Sequence, residues 1–162
     1  MPLFDQLSTR TDHLFVFHQD HGYTVIGTCR DTKDEAKLAH LTSHPAASAR
    51  LTLVEADLDT PDSYDTAVLG CIAVFHTAAP IFFFGVTDGQ KQLIDPAVNG
   101  TLNVLSSCEK SSSVKRVIYT SSLLTCQFPA TFMPGNGKEW TEDDWSSEEN
   151  PVLGMMPYIK GD

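Results

Sequence analysis

Short apolar runs alternate with amphipathic stretches along most of this chain. Four runs rich in β-branched and aromatic residues are typical of buried strands, at residues 23–28, 51–55, 72–76 and 115–120. The segments between them carry apolar residues at helical spacing. Strands that alternate with helices in this way predict parallel neighbours in one sheet, joined by right-handed βαβ units. The pattern therefore predicts a doubly wound parallel α/β fold.

Three of the segments between the predicted strands have helical patterns with marked boundaries. Residues 31–44 place apolar residues among charges, and Pro45 stops that helix. A short helix is predicted from Asp62, with Pro61 at its front edge. In residues 92–110 the apolar side chains fall largely on one helical face. That face contains Leu93, Ala97, Val98, Leu102, Val104, Leu105 and Cys108.

The two ends of the chain are less regular than its middle. Residues 1–12 show neither alternation nor a helical period. Residues 13–20 predict the end of a helix closed by Gly22, and a strand that forms a hairpin is the alternative. Residues 128–157 are rich in Pro, Gly and acidic residues, which predicts a long surface loop. We expect the 162 residues to form a single domain with an atypical N-terminus.

Composition and charge narrow the choice of partner. The formal net charge is -10 with only 11 Lys and Arg residues, which argues against nucleic acid, because that partner requires a basic face. No apolar run approaches the ~18 residues of a membrane span, and no signal sequence is evident. The four cysteines are far apart, which favours reduced thiols over a disulfide framework or a zinc site. We expect a cytoplasmic protein with a small-molecule partner.

Polar residues follow the last predicted strand, in the segment VKRVIYTSS at residues 114–122. In an open α/β sheet the ligand binds outside the carboxyl ends of the strands, so Ser122 is a catalytic candidate. A serine after a strand is also a common turn or helix-cap residue. Arg30 follows the strand at 23–28, where such folds carry an acid for a ribose hydroxyl or a cation for a 2'-phosphate. Taken alone, an arginine there is more often a surface charge.

Two other kinds of site can be imagined from the sequence. Ser122, His76 and Asp57 could be assembled into a hydrolase triad, but the chain has no G-x-S-x-G elbow. His40 and His44 lie four residues apart on a predicted helix, where they could share a metal ion. No third ligand for that ion is evident in the sequence, so a surface role is the simpler interpretation and no metal site is predicted.

Five segments, taken in order, resemble the extended short-chain dehydrogenase/reductases of the NAD-dependent epimerase/dehydratase family. Within that family they are most similar to the cinnamoyl-CoA reductase and dihydroflavonol reductase group. The segments are GYTVIGTCRD, LTLVEADL, GCIAVFHTAAP, DPAVNGTLNVL and VKRVIYTSS, and together they span residues 22–122. The resemblance implies a Rossmann-like domain that binds NADP (NADPH) and reduces a carbonyl or acyl-CoA substrate by hydride transfer.

The resemblance also implies which residues bind the cofactor. Arg30 and Lys37 would bind the 2'-phosphate of NADP, and Asp57 and Leu58 would flank the adenine. The path of the cofactor would be lined by Thr77, Ala78 and Ala79.

The implied catalytic residues are Ser122, which would orient the substrate carbonyl, and Tyr158, which would donate the proton. Tyr158 lies 36 residues after Ser122, which is the register of the family's Tyr-x-x-x-Lys motif. The position of that lysine is occupied by Asp162. In the family the lysine lowers the pKa of the tyrosine through its positive charge, so a carboxylate is expected to have the opposite effect.

The N-terminal segment MPLFDQLSTRTD is the second departure from the family. It stands where the family has its first strand and a glycine-rich turn, and no G-x-x-G-x-x-G pattern is present. That turn lets the backbone approach the pyrophosphate at a helix N-terminus. We expect weak or absent NADPH binding, and a sheet that is incomplete at both ends unless residues 1–18 supply the missing strand.

Two functions of different classes follow from these observations. The first is an NADP-dependent oxidoreductase of the cinnamoyl-CoA reductase or dihydroflavonol reductase type, inactive as this truncated chain. The second is a non-catalytic isoform or fragment that associates with a full-length relative through exposed sheet edges. The absent glycine-rich turn and Asp162 both favour inactivity.

Overall fold

The chain divides into two compact units. The computed structural model describes residues 3–5, 12–79 and 87–121 and the single positions 141, 143 and 145. Residues 1–79 and 99–120 form one unit, and residues 80–98 and 121–162 form the other. All of the described strands belong to the first unit.

The first unit contains five short parallel strands in two hydrogen-bonded groups. They are β1 (Leu3–Asp5), β2 (Val25–Cys29), β3 (Leu51–Glu55), β4 (Ala73–His76) and β5 (Arg116–Tyr119). β2 is hydrogen-bonded to β1 and β3, and β4 is hydrogen-bonded to β5. Cα atoms of β1 and β4 come within 8 Å of each other, so β1 stands between the two groups. The order β3-β2-β1-β4-β5 is that of a doubly wound fold, which confirms the predicted fold class.

The backbone hydrogen bonds correct one part of the sheet prediction. The ladders among the described strands are all parallel, but they fall into a three-stranded and a two-stranded group rather than one continuous sheet. The break lies at β1, which is only three residues long. These residues pair with β2 in the register Leu3 to Ile26, and among the described strands they form no ladder to β4.

The N-terminal segment supplies the first strand of the fold. Of the two expectations for the N-terminus, the one in which residues 1–18 supply the missing strand is confirmed, because residues 3–5 pair with β2. A run of three residues is too short to display the alternation by which strands are recognised, so the sequence pattern did not reveal it.

Residues 13–20, for which a helix and a strand were both considered, belong to the first helix, α1 (Asp12–Asp20). It ends in a Schellman motif in which the Tyr23 amide donates to the carbonyl of His18 at 3.0 Å and the Gly22 amide donates to that of Gln19 at 3.0 Å. Gly22 has a φ of +86°, which a glycine adopts without steric cost. The predicted end of the helix at Gly22 is thus confirmed.

Helix α2 (Glu35–Thr42) follows β2 and buries Leu38 and Leu41. Asp34 is its N-cap, and its carboxylate accepts a hydrogen bond from the Lys37 amide at 3.2 Å. The helix stops before Pro45 as predicted. A further short helix, α3 (Ala47–Arg50), lies between Pro45 and β3, and the sequence pattern gave no sign of it.

The segment that follows β3 is a chain of turns, so the helix predicted from Asp62 is wrong. Asp62 has a φ of +61°, and a residue in this left-handed region cannot begin a right-handed helix. Lys110 holds the segment in place, because its Nζ lies 2.5 Å from Asp62 Oδ1 and 2.9 Å from Asp65 Oδ2. Tyr64, in the same segment, is fully buried in the core.

The longest helix, α4 (Asp95–Lys110), is preceded by a π-helical turn at Gln90–Ile94. Val104 and Cys108 join the core that lies under β4, as predicted. Val98, Leu102 and Leu105 are exposed. Their spacing of four and three residues places them together on a second stripe of the helix. The apolar residues of α4 therefore occupy two faces, and the prediction of one face is wrong for this stripe.

Candidate nucleotide site

Three strand ends of the first unit carry residues that the sequence assigned to a cofactor. Arg30 directly follows β2, Asp57 lies two residues after β3, and Thr77 directly follows β4. Because the strands are parallel, these residues share the carboxyl edge of the sheet, where ligands of open α/β folds bind. The fold thus brings the predicted nucleotide residues to one edge.

Arg30 is exposed, and its side chain forms no hydrogen bond or ion pair with any residue that the structure describes. The loop behind it is held by carboxylates. Glu55 Oε1 accepts from Thr32 Oγ at 2.9 Å and from the Thr32 amide at 3.3 Å, and Asp31 accepts from the Lys33 amide at 2.8 Å. These bonds from Thr32 lower the pKa of Glu55, so it is ionised at neutral pH.

Lys37, the second implied ligand of a 2'-phosphate, is already paired. Its Nζ lies 2.9 Å from Oδ2 of Asp34, while its side chain remains 80% exposed. The hydrogen bond from Lys37 lowers the pKa of Asp34 below its usual range. An exposed pair of this kind is weak, so an incoming phosphate could displace the carboxylate or share the Lys37 ammonium with it.

The loop after β3 positions Asp57 and Leu58, the implied neighbours of the adenine. Ser63 Oγ donates to the Asp57 carbonyl at 2.8 Å and accepts from the Asp57 amide at 3.2 Å. The side chain of Leu58 packs against Gly100 of α4. Ser63 therefore holds Asp57 in this loop, and Gly100 contacts Leu58.

Asn103 of α4 is a residue of this site that the sequence analysis missed. Its Nδ2 donates to the carbonyls of Leu58 at 3.3 Å and Thr60 at 2.7 Å, and its Oδ1 accepts from the Asp62 amide at 3.0 Å. Asparagine and glycine are both poor helix formers, so Gly100 and Asn103 inside a helix were a usable indication of a packing role.

Small residues follow β4 at the centre of this edge. Ala78 is buried, and Thr77 and Ala79 are half-buried. The Thr120 amide donates to the carbonyl of His76 at 2.9 Å, which ties the end of β5 to the end of β4. Small side chains at such a position let a ligand lie close to the backbone.

His76, the last residue of β4, is 2% exposed. Its Nε2 lies 3.4 Å from Oγ1 of Thr101, and its Nδ1 has no hydrogen-bond partner in the described part of the chain. Burial lowers the pKa of His76 to about 4, so the ring is neutral at physiological pH. A buried histidine that faces Thr101 does not match the imagined hydrolase triad.

The metal hypothesis gains no support from the geometry. His44 Nε2 lies 3.8 Å from Asp20 Oδ1. Across residues 12–79 and 87–121, no three His, Cys, Asp or Glu side chains group as metal ligands would. In the same residues, no helix has the length and apolar character to cross a membrane.

Ser122 and Tyr158, the implied catalytic pair, lie outside the described residues, as does Asp162. The predicted surface loop at 128–157 is described only at three single positions. Their assigned roles therefore remain predictions.

A doubly wound parallel sheet with these loops defines the class of the molecule: it is a Rossmann-fold protein of the short-chain dehydrogenase/reductase type. Residues 29–148 match the 3-beta hydroxysteroid dehydrogenase/isomerase family, and the chain belongs to that family. The chain is 48% identical over 122 residues to cinnamoyl-CoA reductase CAD2 of Medicago truncatula, which covers 75% of this chain and 35% of that protein. The resemblance inferred from the five segments is thereby confirmed.

Two solved structures share the fold over nearly all of the chain. Vestitone reductase from alfalfa (Medicago sativa L.) is 30% identical, with a TM-score of 0.73 over 99% of this chain and 48% of that one. Gre2 from Candida albicans in complex with NADPH is 29% identical, with a TM-score of 0.71 over 99% of this chain and 50% of that one. The chain thus spans about a third to a half of the proteins that it resembles.

Proposed function

We propose that this chain carries the NADP-binding part of a reductase of the cinnamoyl-CoA reductase or dihydroflavonol reductase type. The observation that supports this most is the exposed guanidinium of Arg30 at the end of β2, which has no partner among the described residues; a cation at this place selects the 2'-phosphate of NADP. Lys37, Asp57, Leu58 and the segment 77–79 would complete the adenosine side and the cofactor path. The NADPH complex of Gre2 supports the choice of cofactor.

In the whole reductase, NADPH would supply a hydride to the carbonyl carbon of an aldehyde, ketone or acyl-CoA. Ser122 would donate a hydrogen bond to the carbonyl oxygen, and Tyr158 would deliver a proton to it. A lysine near Tyr158 would favour the ionised phenol, and Asp162 would disfavour it. We therefore propose that the 162-residue chain alone has negligible turnover.

The binding test compares NADPH with NADH in calorimetric titrations of the chain. Because no glycine-rich turn holds the pyrophosphate, we expect weak NADPH binding, with dissociation constants above the low-micromolar range. We expect Arg30→Ala to reduce the preference for NADPH over NADH, because only NADPH carries the 2'-phosphate. Arg116→Ala removes an exposed arginine from the opposite end of β5 and serves as the charge-matched control. Low-micromolar NADPH binding would contradict the expected weak binding, and an equal preference for NADPH in Arg30→Ala and the native chain would contradict the role of Arg30.

The alternative function is association of a non-catalytic chain with a full-length relative. It is favoured by β3 and β5, which stand at the two ends of the order of described strands, where an unpaired strand edge could take up another chain. Size-exclusion chromatography of the chain mixed with a purified full-length reductase tests it. Co-elution would support the association, and independent elution at micromolar concentrations would exclude a stable complex.

A further inference from the structure

Glu55 and Arg30 lie at the ends of two neighbouring strands. Glu55 ends β3 and is the register partner of Cys29 in β2, and Arg30 is the next residue along. Neighbouring strands are about 4.8 Å apart, which is within the reach of two long side chains. Both residues are exposed.

The structure nevertheless shows Glu55 bound to a different residue. Its Oε1 accepts two hydrogen bonds from Thr32, from Oγ at 2.9 Å and from the amide at 3.3 Å. Arg30 is left without a partner in the part of the chain that the structure describes. Thr32 therefore holds the carboxylate that could otherwise neutralise Arg30.

We propose that Thr32 is a specificity-determining positioning residue: it keeps Glu55 away from Arg30, so that the guanidinium is available for the 2'-phosphate of the cofactor. The inference rests on the proposed function, because it assigns Arg30 to NADP. Thr32 itself touches no phosphate in this scheme and acts only through Glu55.

Competition between two anions is the physical basis of this role. A carboxylate released beside Arg30 would form an ion pair that a phosphate must displace, and its charge would also repel the phosphate. The site is exposed and solvent screens it, so we expect an effect of about two- to fivefold on affinity rather than a complete loss. The affinity for a nucleotide without a 2'-phosphate should not change when Glu55 is released.

The test uses adenosine 2',5'-bisphosphate and 5'-AMP, titrated into the 162-residue chain at one fixed salt concentration. Thr32→Val keeps the shape of the side chain but removes the Oγ donor. We expect it to weaken binding of the bisphosphate about two- to fivefold and to leave binding of 5'-AMP unchanged. Thr32→Ser, which retains the hydroxyl, should bind both nucleotides like the native chain.

The double variant Thr32→Val with Glu55→Gln separates this role from a purely structural one. If Thr32 works by restraining a competing charge, removal of that charge restores bisphosphate binding to the native level or above. If Thr32 only stabilises the loop, the double variant binds as weakly as Thr32→Val alone or more weakly, and the inference is overturned. Thermal unfolding of each variant verifies that it is folded.

Two arms of the same titration report on the proposed function separately. A native chain that binds the bisphosphate no better than 5'-AMP, or an Arg30→Ala variant with undiminished bisphosphate binding, would overturn both the NADP assignment and the role of Thr32. A clear Arg30 effect without recovery in the double variant would overturn the role of Thr32 alone.

Discussion

Leu58 and Gly100 are in such close contact that no larger residue fits at position 100. A Cβ built on Gly100 would lie 2.9 Å from the Cβ of Leu58. Real Cβ atoms do not approach so closely, so either α4 or the loop after β3 must move when a side chain is added. Because Leu58 is an implied neighbour of the adenine, this contact links the core to the nucleotide site.

Gly100→Ala should therefore destabilise the fold, although alanine is the better helix former. The gain in helix propensity is about 1 kcal/mol, and overpacking costs about 1–3 kcal/mol, so we expect the free energy of unfolding to fall by about 1 kcal/mol. Urea denaturation measures it. Ser106→Ala, on the exposed side of the same helix, is the control and should be neutral or slightly stabilising. A clear gain in stability for Gly100→Ala would contradict the contact.

His76 should make stability depend on pH in a defined window. Its pKa is about 4 in the folded chain and about 6.5 when unfolded, so the unfolded state binds more protons between these values. Above pH 6.5 the neutral ring makes its full contribution to the free energy of unfolding. As the pH falls toward 4, the free energy of unfolding decreases by up to about 3 kcal/mol. Urea denaturation at pH 7.5 and pH 5 should show this loss.

His76→Gln should flatten that dependence, while His40→Gln, at an exposed position, should keep it. Three carboxylates have a lowered pKa: Asp34, Glu55 and Asp65. Their contribution to the stability of the fold is present above their unfolded pKa and is lost only below about pH 4.5. They do not account for a loss between pH 6.5 and pH 5. If the free energy of unfolding of His76→Gln depends on pH as steeply as that of the native chain, the His76 ring is not the cause of the pH dependence.

Asp34 is expected to limit the availability of Lys37 for a phosphate. Asparagine caps a helix as well as aspartate does, so Asp34→Asn should keep the stability of α2 while it releases the Lys37 ammonium. We expect affinity for adenosine 2',5'-bisphosphate to rise about twofold. Asp34→Ala releases Lys37 as well but removes the cap, and should cost about 1 kcal/mol of stability. A weaker affinity in Asp34→Asn would show that Asp34 assists binding instead.

Turnover should be negligible in this chain with an aromatic aldehyde, ketone or CoA thioester. Asp162→Lys alone should not restore it, because the cofactor must be bound before its reacting groups can be aligned. Absorbance at the NADPH band measures the rate. Consumption of NADPH by the unmodified chain that disappears in Tyr158→Phe would show that the chain is a working enzyme.

The strands were largely predictable because apolar β-branched runs are visible in the sequence. The residues 51–55 were predicted with the observed bounds, and the bounds of β2, β4 and β5 differ by one or two residues. β1 was missed because three residues show no period. The helix at Asp62 was predicted wrongly because the sequence pattern shows neither the positive φ of Asp62 nor the contact of its carboxylate with Lys110, which lies 48 residues further along the chain.

The nucleotide residues were predictable to the extent that they follow strands. Arg30, Asp57 and Thr77 could be placed at one edge as soon as the strands were known to be parallel. The roles of Asn103 and Thr32 could not be predicted, because each depends on a partner more than 20 residues away in the sequence. Their partners became evident only from the packing of α4 against the loop after β3 and of β3 beside β2.

The most direct test of the nucleotide site is the mapping of amide chemical shifts of the 162-residue chain by NMR during titration with NADPH. We expect the largest changes in residues 30–37, 57–58 and 77–79, at the carboxyl edge of the sheet. With NADH, the changes in residues 30–37 should be smaller, because the 2'-phosphate is absent. Changes confined to other parts of the chain, or none at millimolar NADPH, would contradict the site proposed for this reductase relative.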